Sequence, residues 1–238
     1  MQLFLTLEAS EILLPLAYRH IVQSMLYHVL AADPEYANTL HSPQSGSDRQ
    51  YKLYTFSQLQ GRYTVRDSHI CFLNKVTLEI RSTSDELILH LMRGMPVGTQ
   101  LRLGSNYVTV SSCTAENHII CDSTIRIRTY SPVVAYLTCE DGKTRFFSPE
   151  EDAFYSMVTT NAQRKWLKCF GTEPPAFQIR PENSRFRKQV TMYKSTRITA
   201  WDGSFILEST PQMLTMLYNL GLGAKNSQGF GMFSRNSR

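Results

Sequence analysis

The sequence predicts an α+β protein built from two tandem βαββαβ halves. Three observations carry this. Apolar and polar residues alternate in several short runs, the period of a strand with one buried face. Between those runs lie segments with the 3.6-residue period of an amphipathic helix, opened by capping residues. The order strand, helix, strand, strand, helix, strand then occurs twice within 238 residues. That order is the ferredoxin-like one, so two tandem ferredoxin-like domains are expected.

In the first half, Leu3, Leu5 and Leu7 alternate with Gln2, Phe4 and Thr6. Pro15 precedes a helix of roughly four turns. On it Val22, Met25, Leu26, Val29 and Leu30 follow the i, i+3, i+4, i+7, i+8 spacing of a buried stripe. Residues 52–63 and 69–81 read as strands around the turn Arg66-Asp67-Ser68. Thr83 and Glu86 read as a capping box for a short helix through Leu87, Leu91 and Met92, which Gly94 ends. Residues 101–110 form the last strand of this half.

In the second half, residues 119–127 and 133–139 read as strands. Ser148-Pro149-Glu150-Glu151 has the pattern of a helix start, with a capping serine, proline at the first position and Glu151 closing the box. That helix carries Phe154, Val158, Trp166 and Leu167 and stops at Gly171. Residues 177–190 and 192–207 read as two long strands. Thr210-Pro211 opens a last helix with Leu214, Leu217 and Leu220, and a glycine-rich tail follows Gly221. The small polar residues of 112–117 mark the join. The expected division is 1–115, a ferredoxin-like domain with the candidate catalytic residues, and 116–238, a second one with the glycine-rich loop.

Composition narrows the function classes. There are 25 Lys+Arg against 20 Asp+Glu, a net charge of +5. A mild basic excess acquires meaning when it clusters, and Arg180, Arg185, Arg187, Lys188, Lys194 and Arg197 are opposed only by Glu182. Such a cluster fits a polyanionic partner, and equally a solvated strand face. The five cysteines are odd in number and contain no CxxC pair, against a disulfide framework or a zinc site. No apolar stretch is long enough to span a bilayer, and the N-terminus lacks the basic start of a signal peptide. No membrane partner and a reducing cytoplasm are expected.

The run from Gly221 to Gly231 holds four glycines in eleven residues, with Lys225 inside it. Such a loop can bring backbone N–H groups against a phosphate chain, and the lysine adds a point charge. The run Gly221-x-Gly223-x-Lys225-Asn226-Ser227-x-Gly229-Phe230-Gly231 resembles the C-terminal signature of the CRISPR repeat-RNA endoribonucleases of the RAMP superfamily. Leu14-Pro15-Leu16 with Gln23-Ser24-Met25-Leu26-Tyr27, and Lys52-Leu53-Tyr54-Thr55-Phe56-Ser57, resemble two further motifs of that family. The resemblance implies cleavage of a precursor transcript at its repeats, by 2′-hydroxyl attack, without a metal or other cofactor. The implied products are a 2′,3′-cyclic phosphate and a 5′-hydroxyl. Implied partners are the repeat RNA, effector-complex subunits and a second copy of the chain.

Carried over position by position, the family's catalytic residues fall on Tyr27, His41 and Lys52. The segment between His41 and Lys52 is longer than the family pattern. Histidine titrates near neutrality and suits proton transfer; lysine supplies charge for the developing phosphorane; tyrosine orients or passes a proton. On a helical wheel Tyr27 lies about 130° from the centre of the apolar stripe, and His20 falls on nearly the same face. His20 is therefore a candidate RNA ligand, while His28 points elsewhere. The RNA-binding set is His20, the basic run, and Gly221, Gly223, Lys225, Asn226, Ser227, Gly229 and Gly231. Two alternatives stay open: a non-catalytic RNA-binding subunit of the same superfamily, and a binder that stacks bases on sheet aromatics.

Overall fold

A computed structural model describes residues 1–32, 53–140 and 142–236. Its first half contains β1 (Gln2–Pro15), α1 (Arg19–Ala31), β2 (Tyr54–Phe56), β3 (Tyr63–Arg66), β4 (His69–Ser82), α2 (Asp85–Gly94), β5 (Gln100–Leu103) and β6 (Asn106–Glu116). The strands lie in the order β2-β4-β1-β6-β5, with β3 added to the far end of β4. Its central four, β2-β4-β1-β6, have the antiparallel arrangement of a ferredoxin-like sheet.

β1 is longer than its alternation predicts, because a bulge changes which parity faces inward. Leu3, Leu5 and Leu7 are fully buried, and beyond the register shift between Glu8 and Glu11 the buried residues become Ile12 and Leu14. One extra residue in a strand turns the following side chains to the opposite face. The core beneath this sheet joins those leucines to Val22, Met25, Leu26, Val29 and Leu30 of α1, the predicted stripe.

Several boundaries differ from expectation. The strand expected over 52–63 is two short strands, β2 and β3. The single strand expected over 101–110 is the hairpin β5–β6, which turns at Gly104 with φ +66°. The cap of α2 is Ser84, whose side chain accepts from the Leu87 N–H, rather than Thr83. Thr83 instead places its hydroxyl 4.0 Å from the Cys169 sulfur.

The second half contains β7 (Thr124–Thr129), β8 (Tyr136–Thr138), β9 (Thr144–Phe146), α3 (Asp152–Phe170), β10 (Gln178–Pro181), β11 (Arg187–Tyr193), β12 (Thr196–Asp202), β13 (Ser204–Glu208), α4 (Pro211–Leu220) and β14 (Phe233–Arg235). The sheet order is β10-β13-β7-β14, again ferredoxin-like. The two long strands expected over 177–207 are instead four. β11 and β12 leave the main sheet as a separate two-stranded hairpin, tied back by an antiparallel bridge between Trp201 and Val133. The Ser148–Glu151 box forms, with the Ser148 N–H donating to Glu151 Oε1 at 2.8 Å, but it closes a turn before α3 instead of capping it. The glycine-rich segment is no tail. It is largely buried and leads into β14.

A polar seam joins the two cores. Arg81, on β4, is 3% exposed; its Nη1 donates to the carbonyls of Phe233 at 2.7 Å and Tyr218 at 3.4 Å. Its Nε meets Glu79 Oε1 at 2.5 Å, and its guanidinium lies 3.7 Å from the Tyr218 ring centroid. The Tyr218 hydroxyl donates to Gln2 Oε1. Removing one member of a buried charged network leaves the others unpaired. Arg81→Ala is expected to destabilise the protein by about 3–5 kcal/mol in urea unfolding; a loss below about 1 kcal/mol would mean that water replaces the guanidinium at no penalty.

Candidate functional site

α1 belongs to the first half and the glycine-rich loop to the second, and the two meet. The Gln23 side-chain amide donates to the Ser227 carbonyl at 2.6 Å, and Arg19 Nε donates to the Gly229 carbonyl at 3.2 Å. The Arg19 guanidinium lies 4.6 Å from the Phe230 ring centroid, and its burial pulls the pKa below the usual arginine value. Thr55 on β2 donates to the Phe230 carbonyl at 3.3 Å. Gln23 also accepts a hydrogen bond from the Tyr193 hydroxyl at the end of β11. One amide thus connects the helix, the loop and the β11–β12 hairpin.

The loop keeps its shape through internal bonds. Asn226 Nδ2 donates to the carbonyls of Leu222 at 2.9 Å and Phe230 at 3.0 Å. Leu222 N–H donates to Gly231 and Ala224 N–H to Val134. A short 3-10 turn, Asn226–Gln228, forms its outer bend. Glycine is required at Gly229 and Gly231, which have φ of +83° and +76°. A Cβ at Gly231 would stand 2.0 Å from the Leu222 carbonyl oxygen, and one at Gly229 would stand 2.6 Å from the Phe56 ring.

Below the loop lies Lys165 of α3. Its ammonium, 3% exposed, donates to the Gly221 carbonyl at 2.7 Å and the Gly223 carbonyl at 2.9 Å. Burial lowers its pKa to about 7. On the surface, Lys225 adopts φ +61°, with its ammonium 5.0 Å from the Tyr136 ring centroid.

The structure brings part of the sequence-derived set together. Tyr27 is half-buried on α1. His20, two turns earlier, packs edge-on against Tyr193 at 6.3 Å. His20 Nδ1 is 2.9 Å from the Ala17 carbonyl. A carbonyl only accepts, so Nδ1 carries the proton and Nε2 is the basic nitrogen of the neutral ring. His28 is exposed. His41 and Lys52 lie outside the described residues. The basic run is divided: Arg180 sits on the main sheet against Glu208 at 3.1 Å, and Arg185 lies in the connection before β11. Arg187, Lys188 and Arg197 line the separate hairpin, with Lys194 at its turn. Lys188 and Arg197 share one face of the hairpin, and Arg187, opposite Asp202, lies on the other. Gly221, Gly223 and the Asn226 side chain face inward and shape the loop.

The sequence reading missed Arg19, Gln23, Lys165 and Tyr193. Two left a signal. Arg19 lies three residues before Val22 on the stripe of α1, and Lys165 lies among Phe154, Val158 and Trp166 on the buried face of α3. A cation on an apolar helix face needs an internal acceptor. Gln23 stood in the helix motif of the resemblance, which gave it no role, and Tyr193 left no signal.

Among the described residues, no three His, Cys, Asp or Glu side chains are grouped to hold a metal ion, and no helix is long and apolar enough to cross a membrane. The fold and the pinned loop define a class, a double ferredoxin-like protein with a C-terminal glycine-rich loop closed onto its first helix. Comparison with known proteins agrees. Residues 13–114 match the family model "CRISPR-associated protein Cas6, N-terminal", and residues 115–234 match "CRISPR associated protein Cas6, C-terminal". The chain belongs to the Cas6 family.

It is 27% identical over 231 residues to the "CRISPR-associated endoribonuclease Cas6 1" of Methanocaldococcus jannaschii, covering 92% of this chain and 86% of that protein. It is 25% identical over 228 residues to the "CRISPR-associated endoribonuclease Cas6" of Pyrococcus furiosus, covering 92% and 82%. A solved structure titled "Characterization of a Cas6-related gene from Pyrococcus furiosus" shares the fold with a TM-score of 0.84 at 20% identity, covering 99% of this chain and 98% of that one.

Lys165 gives stability a distinct pH dependence. Its pKa is about 7 in the folded protein and near 10.5 when exposed. Between those values the unfolded chain binds a proton that the folded chain lacks, so raising the pH favours folding. Urea unfolding of the wild type, referenced to Lys165→Met, should therefore show stability rising from pH 7 towards pH 10. A flat difference would mean that the ammonium keeps its charge in place.

Proposed function

We propose that the chain binds the repeat RNA of a CRISPR precursor transcript and cuts it without a metal ion. One observation supports this most: Gln23 and Arg19 hold the glycine-rich loop against the helix that carries His20 and Tyr27. A phosphate-binding surface and candidate proton carriers then share one face. The relatives are named endoribonucleases, and this reading carries that activity over.

RNA supplies its own nucleophile. A base removes the 2′-hydroxyl proton, the oxygen attacks the adjacent phosphorus, and the bond to the 5′-oxygen breaks as that oxygen takes a proton. The products are a 2′,3′-cyclic phosphate and a 5′-hydroxyl. The resemblance assigns His41 to proton transfer, Lys52 to the developing phosphorane charge and Tyr27 to orientation or proton transfer. His20 contacts RNA, with its basic Nε2 as a rival proton acceptor. Lys225 and Ser227 meet the phosphate chain at the loop, while Gly221, Gly223, Asn226, Gly229 and Gly231 set the loop's shape. Lys188, Lys194 and Arg197 form no ion pair among the described residues, and with Arg187 they extend the path along the hairpin. Arg180 and Arg185 extend it past β10. Domains 1–115 and 116–238 divide the work into cleavage and loop-mediated binding. Effector-complex subunits and a second copy of the chain are further partners in this reading.

Pure protein incubated with labelled repeat RNA in EDTA should cut it and leave a cyclic phosphate end. A strict need for Mg²⁺ or Mn²⁺ would sink the mechanism. Tight binding with no cleavage at all would favour the non-catalytic subunit.

His41→Ala should slow single-turnover cleavage by ~10²–10⁴-fold while gel-shift affinity survives, the usual effect of losing a general acid or base. His28→Ala should be nearly silent. A wild-type rate for His41→Ala beside an inactive His20→Ala would move the proton carrier onto α1.

A further inference from the structure

We propose that Lys165 is a positioning residue that sets the shape of the glycine-rich loop met by RNA, an inference that rests on the loop being an RNA contact. Its Nζ reaches two carbonyls two residues apart, Gly221 and Gly223, from beneath the loop. Each belongs to a peptide plane whose other end is also held. In the 221–222 plane, Leu222 N–H donates to Gly231; in the 223–224 plane, Ala224 N–H donates to Val134. With oxygen and hydrogen both committed, neither plane can rotate. The chain then enters Lys225 in the left-handed conformation, φ +61°, and turns through Asn226–Gln228. Where Lys225 and Ser227 emerge is decided by planes that Lys165 holds.

The partners of Lys165 among the described residues are backbone carbonyls. No carboxylate pairs with it there, and the Cys169 thiol one turn along α3 has its pKa raised by burial and stays neutral. Burying an amine is costly, and removing it leaves two buried carbonyls without a donor. Methionine would fill the space. What methionine lacks is a donor that two carbonyls can share. The lowered pKa has the same origin: burial among backbone acceptors disfavours the charged form, and the neutral amine still has two N–H groups for the two carbonyls.

The test compares Lys165→Met, Lys165→Gln and Lys225→Glu with the wild type. Repeat-RNA affinity is measured by filter binding at fixed salt, folding by thermal melting, and Leu222 and Ala224 by amide hydrogen exchange. Lys165→Met leaves the Gly221 and Gly223 carbonyls without their donor and should melt below the wild type. At temperatures where it is fully folded it should bind RNA about tenfold or more weakly, the order expected from losing hydrogen bonds that shape a site. Both amides should exchange faster. Lys165→Gln keeps an N–H₂ donor on a shorter side chain and should be intermediate, and it decides the matter if the methionine variant does not fold. Wild-type affinity in Lys165→Met, or in a folded Lys165→Gln with fast-exchanging amides, overturns the proposal. So does a binding loss confined to temperatures where the variant is partly unfolded. Lys225→Glu separates the two readings. Unchanged affinity there removes the loop from the RNA path altogether, whereas weakened affinity beside a normal Lys165→Met removes only the positioning role.

Discussion

A backbone carbonyl buried without a donor costs about 1–3 kcal/mol, and the segment from Gly221 to Phe233 buries a series of them. Glycines supply no side chains to relieve the problem. The donors come from elsewhere: Lys165 for Gly221 and Gly223, Arg19 for Gly229, Thr55 for Phe230 and Arg81 for Phe233. Arg19, Thr55 and Arg81 belong to the first half of the chain. Forming the loop and closing the two halves on each other are therefore one event. Neither half alone can satisfy this segment.

The same requirement explains why the site is rigid where it must be. Gly229 packs so close to Phe56 of β2 that a methyl group would not fit, and Gln23 ties the loop and the hairpin to one point on α1. A loop that contacts a phosphate chain must present its groups in a fixed pattern to avoid an ordering penalty on binding. Here the pattern is imposed from below and from the side, with Lys225 and Ser227 half-buried at the outer bend, where the proposed reading puts the RNA.

Positive charge serves two separate ends. Arg19, Arg81 and Lys165 are buried and hold backbone, so they add little to the surface field. The surface arginines are held loosely. Arg180 with Glu208 and Arg187 with Asp202 are exposed pairs, a kind worth about 0–1 kcal/mol. Phosphates can replace such carboxylates with little loss. A modest net charge of +5 thus understates how basic the hairpin is, because Arg187, Lys188, Lys194 and Arg197 gather on its two strands and its turn.

Periodicity by itself determined the two ferredoxin-like halves, the apolar stripe of α1, the Gly171 stop of α3 and the Thr210 cap of α4, because each depends on residues within a turn or two. The glycine-rich run was equally readable as a signature. Strand boundaries were less so. The bulge in β1 and the turns at Gly104 and Gly203 are single-residue events that a period-2 pattern passes over. Only the tertiary structure decided that the glycine segment is buried, that the basic run divides between a sheet and a free hairpin, and that Gln23 and Tyr193 meet. Those contacts join residues 170 or more positions apart. No local pattern records them. Lys165 and Arg19 stand between the two cases: a charge on an apolar stripe announces a buried acceptor, but only the folded chain shows which carbonyls it holds.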